Sequence, residues 1–215
     1  MIRRPALLTA AALTAALTLS ACGGGEDDSG DNDKIAGADT GKSSAPASPS
    51  AEGSAGRPKI ELPTDLTYTF DWPESGDKDE KAVLGDSQQF IKAVDMAIAD
   101  QDPLSKAYRF YSEGEAAAES HKFIQEFVDY KDRITGVKRY FNANVKINGD
   151  GTAALIYCED QNKAFNKSLK TGKTDVTPES KDNYVLYSSR LRANKQGVWV
   201  TETLTSQRGS AACQS

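Results

Sequence analysis

The sequence predicts an α+β domain in which N-terminal helices pack on a curved antiparallel sheet. Three observations carry that expectation. The folded region opens with a period-two stretch, LTYTFDW; three segments with a helical apolar period follow between residues 81 and 132; and from residue 137 the period returns to two, with turns at Asn148-Gly149-Asp150-Gly151 and Asn194-Lys195-Gln196-Gly197. Helices followed by a run of hairpin-linked strands is the ordering of a helix layer on a sheet.

Each element has a local reason. Leu66, Tyr68, Phe70 and Trp72 alternate with Thr67, Thr69 and Asp71, so residues 66–72 form a strand with one apolar face, closed by Pro73 and the polar run ESGDKDE. Leu84, Phe90/Ile91, Val94 and Ala97/Ile98 mark one stripe of a first helix from residue 81, which ends before Asp102-Pro103 because a residue preceding proline avoids the helical region. A shorter helix spans residues 104–111 and stops near Gly114. A third covers 115–132, with Phe123, Ile124, Phe127 and Val128 on one side. Residues 137–147 alternate, with Phe141, Val145 and Ile147 placed on one face; residues 152–158 return from the Asn-Gly turn, a polar stretch with Thr171-Gly172-Lys173 intervenes, and strands at 184–193 and 198–206 complete the sheet.

The first 58 residues differ in kind. Arg3 and Arg4 precede an apolar run from Ala6 to Leu19, the layout of a signal peptide over residues 1–21. As a helix this run is roughly 21 Å long, short of the ~30 Å needed to span a bilayer. Leu19-Ser20-Ala21-Cys22 resembles the lipobox of bacterial lipoproteins, which implies that Cys22 receives a diacylglycerol, becomes the new N-terminus and, with a further acyl chain such as palmitate, anchors the chain. Residues 22–58 are rich in Gly, Ser, Ala, Asp and Glu, with Ile35 as the one large aliphatic side chain, so they read as a flexible acidic tether. The acids at 26–33 lack the spacing of a calcium loop. Residues 59–215 remain as a single domain, held on the outer face of the cell membrane.

Cys158 and Cys213 lie in that domain. An even pair in an exported chain reads as a disulfide, and closing so long a loop contributes roughly 4 kcal/mol in the chain-entropy treatment. A reactive thiol would need a base, and His121, the one histidine, falls in the third helical segment far along the chain from both. The whole chain carries a formal charge of −5, spread so that the domain is nearly balanced, which excludes a sequence-independent nucleic-acid binder.

The N-terminal helices, the paired strands, the turn before AALIYCED, the Thr-Gly element and the closing Gly-Val-Trp-Val strand together resemble the nuclear transport factor two-like, or SnoaL-like, cone fold, over about residues 86–206. The chain as a whole is similar to secreted lipoproteins of actinobacteria built on that cystatin-like cone. The resemblance implies a cavity between helices and sheet, and such cavities host isomerases, dehydratases, ligand carriers and scaffolds.

Enzymes of this fold place an Asp or His base with Tyr or Asp donors inside the cone, so the candidates by residue type are His121, Asp129, Tyr130, Tyr140 and Tyr157. Their neighbours point elsewhere: His121 to the polar face of its helix, Asp129 and Tyr130 to a solvated helix end, Tyr140 and Tyr157 to sheet packing. Arg190, Arg192 and Lys195 form a basic strip read as a solvent-facing edge, and Trp199 reads as core. The expectation is therefore a non-enzymatic envelope module that binds a small ligand or an envelope protein, with no catalytic residue, cofactor or metal. The alternative is a structural part of a secretion or conjugation assembly, and a cone-fold enzyme of isomerase or hydrolase type ranks third. A deep cone with a polar floor favours a ligand site or an enzyme; a cone filled by its own Phe and Tyr side chains favours the structural part.

Overall fold

The computed structural model describes residues 56–214, so the expected signal peptide, the lipid anchor at Cys22 and the tether up to residue 55 lie outside the described residues. The element order is β1 (Leu66–Asp71), α1 (Lys78–Ala99), α2 (Lys106–Phe110), α3 (Gly114–Tyr130), β2 (Asp132–Ile147), β3 (Thr152–Ser168), β4 (Thr174–Asp175), β5 (Tyr184–Ala193) and β6 (Trp199–Arg208). Short 3-10 turns occupy Lys181–Asn183 and Ala211–Cys213. The six strands form one sheet in the order β1-β2-β3-β5-β6, with the two-residue β4 beside β3. This is the α+β architecture expected, with helices on one face of a curved sheet. Among the described residues no helix is long and apolar enough to cross a membrane.

Local chemistry sets the boundaries. α1 begins at Lys78 because the Asp77 carboxylate accepts from the amides of Asp79 and Glu80 at 2.8 and 2.9 Å, a cap the apolar period does not show. α3 ends where Lys131 turns left-handed (φ 61°), and β2 follows at Asp132, five residues before the alternation becomes legible. β3 runs to Ser168, well beyond Cys158, because its polar second half pairs with the equally polar start of β2. One pairing is parallel: β1 lies beside β2 from Leu66↔Gly136 to Asp71↔Phe141, and the three helices form the crossover that a parallel pair requires. Gly136 is the position where β1, β2 and β3 crowd. Its φ is +99°, and a Cβ there would sit 2.1 Å from the Lys163 carbonyl oxygen.

Register irregularities curve the sheet, two between β2 and β3 and one between β5 and β6 at Arg190/Leu191. The register between β2 and β3 shifts between Val137 and Arg139 and again between Phe141 and Asn144, the second shift containing Asn142 at φ 52°. Because of it, Tyr140 and Ala143 both enter the core between helices and sheet, while Phe141 lies on the other face against Cys158 and Cys213. The expected grouping of Phe141 with Val145 and Ile147 fails for this reason: an inserted residue inverts the alternation.

The concave face holds two adjoining apolar clusters. One joins Val83, Leu84 and Ile91 of α1 to Tyr140, Leu155, Tyr157, Leu191 and Trp199. The other joins Phe90, Ala97 and Ile98 to Tyr108, Tyr111, Ile124, Val198 and Val200. On the convex face the Cys158–Cys213 disulfide, with 5.5 Å between Cα atoms and a separation of 55 residues, fastens the C-terminal turn over Phe141, Tyr184 and Leu186.

Candidate functional site

Between α1, α3 and the concave sheet lies a cavity of about 590 Å³. Phe90, Ile91 and Val94 of α1, with Phe123 and Phe127 of α3, supply its apolar walls; Glu119, Lys122, Glu126 and Arg208 stand among the lining residues with the most solvent exposure. Asp95 from α1 and Lys138, Tyr140, Tyr157 and Tyr187 from three strands form its polar floor.

Three charged groups meet at that floor. The Lys138 ammonium lies 2.8 Å from Asp95 Oδ2 and 3.2 Å from Glu159 Oε1. Their side chains are 9%, 2% and 1% exposed, so the cluster is cut off from bulk solvent. Tyrosine hydroxyls complete it: Tyr68 donates to Asp95 Oδ2 at 2.7 Å, Tyr140 to Glu159 Oε1 at 3.0 Å and Tyr187 to Glu159 Oε2 at 2.8 Å. The Gln161 amide also donates to Glu159 Oε2, at 2.9 Å, and accepts from Arg208 at 2.8 Å, so a polar chain runs from exposed Arg208 to the floor.

The environment fixes the protonation states. Burial pulls the Lys138 ammonium toward neutrality, but the facing Asp95 and Glu159 carboxylates outweigh it and raise its pKa above the ordinary 10.5. Burial pushes Glu159 upward; Lys138 and the Tyr187, Gln161 and Tyr140 donors reverse that, leaving it below its ordinary 4.5. Burial, then the nearby carboxylates, raises Tyr68, Tyr140, Tyr157 and Tyr187 above their usual range, so all four are neutral donors. The side chains Asp95 and Glu159 thus face a single cation.

The bonds to Asp95 are uneven. Tyr68 and Lys138 both bind Oδ2, and among the described residues Oδ1 has no donor. Glu159, by contrast, has donors on both oxygens. A carboxylate oxygen open to a cavity, beside a fixed ammonium and under aromatic walls, can accept a hydrogen bond or a proton from a small molecule. Among the described residues no group of three or more His, Cys, Asp or Glu side chains is placed to hold a metal.

The residues singled out by sequence divide sharply. Tyr140 and Tyr157 are in the cavity lining, packed 6.0 Å apart between ring centroids. His121 is not; its Nδ1 lies 2.8 Å from the Pro103 carbonyl oxygen and ties α3 to the loop before α2. Asp129 is exposed and accepts from Gln125, and Tyr130 is 74% exposed. Arg190 and Arg192 flank Glu202, Lys195 lies exposed in the turn before β6, and Trp199 is core. Pattern reading missed Asp95, Lys138 and Glu159. Two signals pointed to them: Asp95 falls on the apolar stripe of α1 with Ile91 and Ile98, and Glu159 follows Tyr157 at inward parity on β3.

No family model matches the chain, and no curated protein matches it. The solved structures it resembles are SnoaL-like cone-fold proteins. They include a hexachlorocyclohexane dehydrochlorinase of Novosphingobium barchaimii, at 9% identity over 61% of this chain and 90% of that one (TM-score 0.42). A scytalone dehydratase-like protein of Novosphingobium aromaticivorans shares 7% identity over 60% and 86% (TM-score 0.43). A ketosteroid isomerase-like protein of Shewanella frigidimarina shares 11% over 60% and 98% (TM-score 0.34). At such values the likeness assigns no activity to this chain. The expectation of a non-enzymatic module without catalytic residues is nevertheless corrected: its structural neighbours include enzymes, and the cluster of buried titratable groups whose absence motivated it is present at Asp95, Lys138 and Glu159.

Proposed function

We propose that this chain binds a small organic molecule in the cone and carries out acid–base chemistry on it, with Asp95 as the group that accepts the proton. The observation that carries this reading is the unpartnered Oδ1 of a carboxylate 2% exposed, at the floor of a 590 Å³ cavity and 2.8 Å through its other oxygen from a fixed ammonium. Tyr68 and Lys138 hold Asp95 in place, Glu159 holds Lys138, and the phenylalanines of α1 and α3 exclude water from the floor. A polar floor in a cavity of this size does not fit a purely structural part.

The same proposal places the domain outside the cell, held by lipid on Cys22. Its support is the Leu19-Ser20-Ala21-Cys22 pattern and the disulfide, which suits an oxidising compartment. Cys22→Ser should leave the domain folded and release it from membranes; continued membrane fractionation would remove the anchor.

The test of the site is native mass spectrometry of the full chain isolated from its source, before and after denaturation. An extra mass that leaves on denaturation, and that is missing from Asp95→Asn of unchanged melting temperature, supports the reading. A bare wild-type mass, together with no turnover of any compound from a metabolite extract, would overturn it.

A further inference from the structure

We infer that the molecule this cone takes is an organic cation, a protonated nitrogen on an aromatic or apolar body. The inference rests on the reading that the cone is a small-molecule site, and it names the charge that site selects. Asp95 and Glu159 are two buried carboxylates, and Lys138 is the one ammonium between them. Every hydroxyl at the cluster is a neutral phenol, so Asp95, Lys138 and Glu159 together hold one negative charge in excess, and Asp95 is the carboxylate of the two that lines the cavity. The charged lining residues nearer solvent do not offset it: Glu119 and Glu126 are matched by Lys122 and Arg208, and Lys122 is taken up by Glu119 at 2.5 Å. A buried charge without a counter-charge is costly. The missing counter-charge is what the occupant brings.

Geometry gives the cation its place. Asp95 Oδ1 is the open acceptor, and Lys138 cannot swing to it without giving up the bonds it makes to Asp95 Oδ2 and Glu159 Oε1. The lining shared with Asp95 is rich in aromatic rings: Tyr157 and Tyr187 stack at 5.0 Å, Tyr140 lies 6.0 Å from Tyr157, and Phe123 meets Phe127 edge-on at 5.2 Å. Ring faces attract a cation and the apolar body behind it, and they offer nothing to an anion. A carboxylate-bearing ligand would meet Asp95, with Glu159 buried behind the lining and the ammonium already engaged by both.

The experiment compares three probes of nearly one shape on the full chain by calorimetry: phenethylammonium, phenethyl alcohol and phenylacetate. Phenethylammonium should bind about tenfold tighter than the alcohol, the difference expected of one charge-assisted hydrogen bond, and phenylacetate should bind weakest. Asp95→Asn should abolish the preference. Phe123→Leu, at a half-exposed wall position where folding is not at stake, should weaken the ammonium more than the alcohol. Equal or tighter binding of the alcohol or of phenylacetate would overturn the cation inference while leaving a small-molecule cone intact. Failure of all three probes, with a bare wild-type mass, would overturn both.

Discussion

Asp86 and Asp95 are both buried residues of α1, at 3% and 2% exposure and on opposite sides of the helix, yet the two regions use a buried carboxylate in opposite ways. At Asp86 both oxygens are consumed. Arg57 engages them through both terminal nitrogens, and Oδ2 also accepts the Trp199 amide at 2.8 Å, so the carboxylate fastens the segment before β1 and the start of β6 to the helix. At Asp95 the donors crowd onto Oδ2 and Oδ1 is left to the cavity. A saturated buried acid is structural, because its charge and lone pairs are accounted for within the chain; one with an open oxygen holds interaction energy for something else. Burial alone does not separate the two cases.

The largest expected effect tests the Asp95 side. Lys138→Met leaves two carboxylates buried without a cation, and the loss in denaturant unfolding should be about 3–5 kcal/mol. A loss below about 1 kcal/mol would mean that the carboxylates reach solvent and that the floor is not closed. Next comes the disulfide behind the sheet. Removing it as Cys158→Ser with Cys213→Ser should cost about 2–4 kcal/mol, and because the bridge faces away from the cavity, probe affinity measured well below the new melting temperature should hold. Affinity falling in step with stability would tie the two faces together.

A smaller effect tests the Asp86 side. Arg57→Ala should cost about 1–2 kcal/mol, less than Lys138→Met, because the Arg57 side chain is 29% exposed and the Trp199 amide still serves Asp86. It should leave ligand affinity unchanged, whereas Asp95→Asn should remove affinity; the reverse pattern would exchange the roles of the two acids.

The gentlest probe is pH. Glu159 titrates below its ordinary 4.5 when folded, so its stabilising contribution is complete above that value and is lost as pH falls through the folded pKa. Lys138 titrates above 10.5, so its contribution is complete below that value and is lost as pH rises through the folded pKa. From these two groups, stability should be flat from about pH 5 to 10 and fall on either side. Glu159→Gln should make the acid limb shallower; an unchanged limb would assign it to other groups, such as Asp65 with its Arg133 and Lys167 partners.

Much of the fold was legible because each element repeats one local rule. The alternation of Leu66 to Trp72, the stripe from Leu84 to Ile98 and the Asn148-Gly149 turn each act over a few residues, and the structure places a strand, a helix and a hairpin there. The Cys158–Cys213 bridge was legible because these are the two cysteines of the folded region once Cys22 is read as the anchor of an exported chain. The extent of β3 was not: residues 159–168 are mostly polar, and it is their pairing with residues 132–140 and, at Glu159 and Asp160, with Val185 and Tyr184 that makes them a strand. Nor was the face of Phe141, which depends on one residue at Asn142 taking a left-handed backbone.

What the sequence determined by itself was the alternation of elements, the cysteine pair and the class of layered fold, since period, turn chemistry and composition act locally. Only the tertiary structure decided the site. Asp95, Lys138 and Glu159 come from α1, β2 and β3, and each taken singly is an ordinary charged residue of its own segment. Their meaning lies in a distance of about 3 Å, and that distance exists only once the bulged sheet has curled around the helix and withdrawn all three from water.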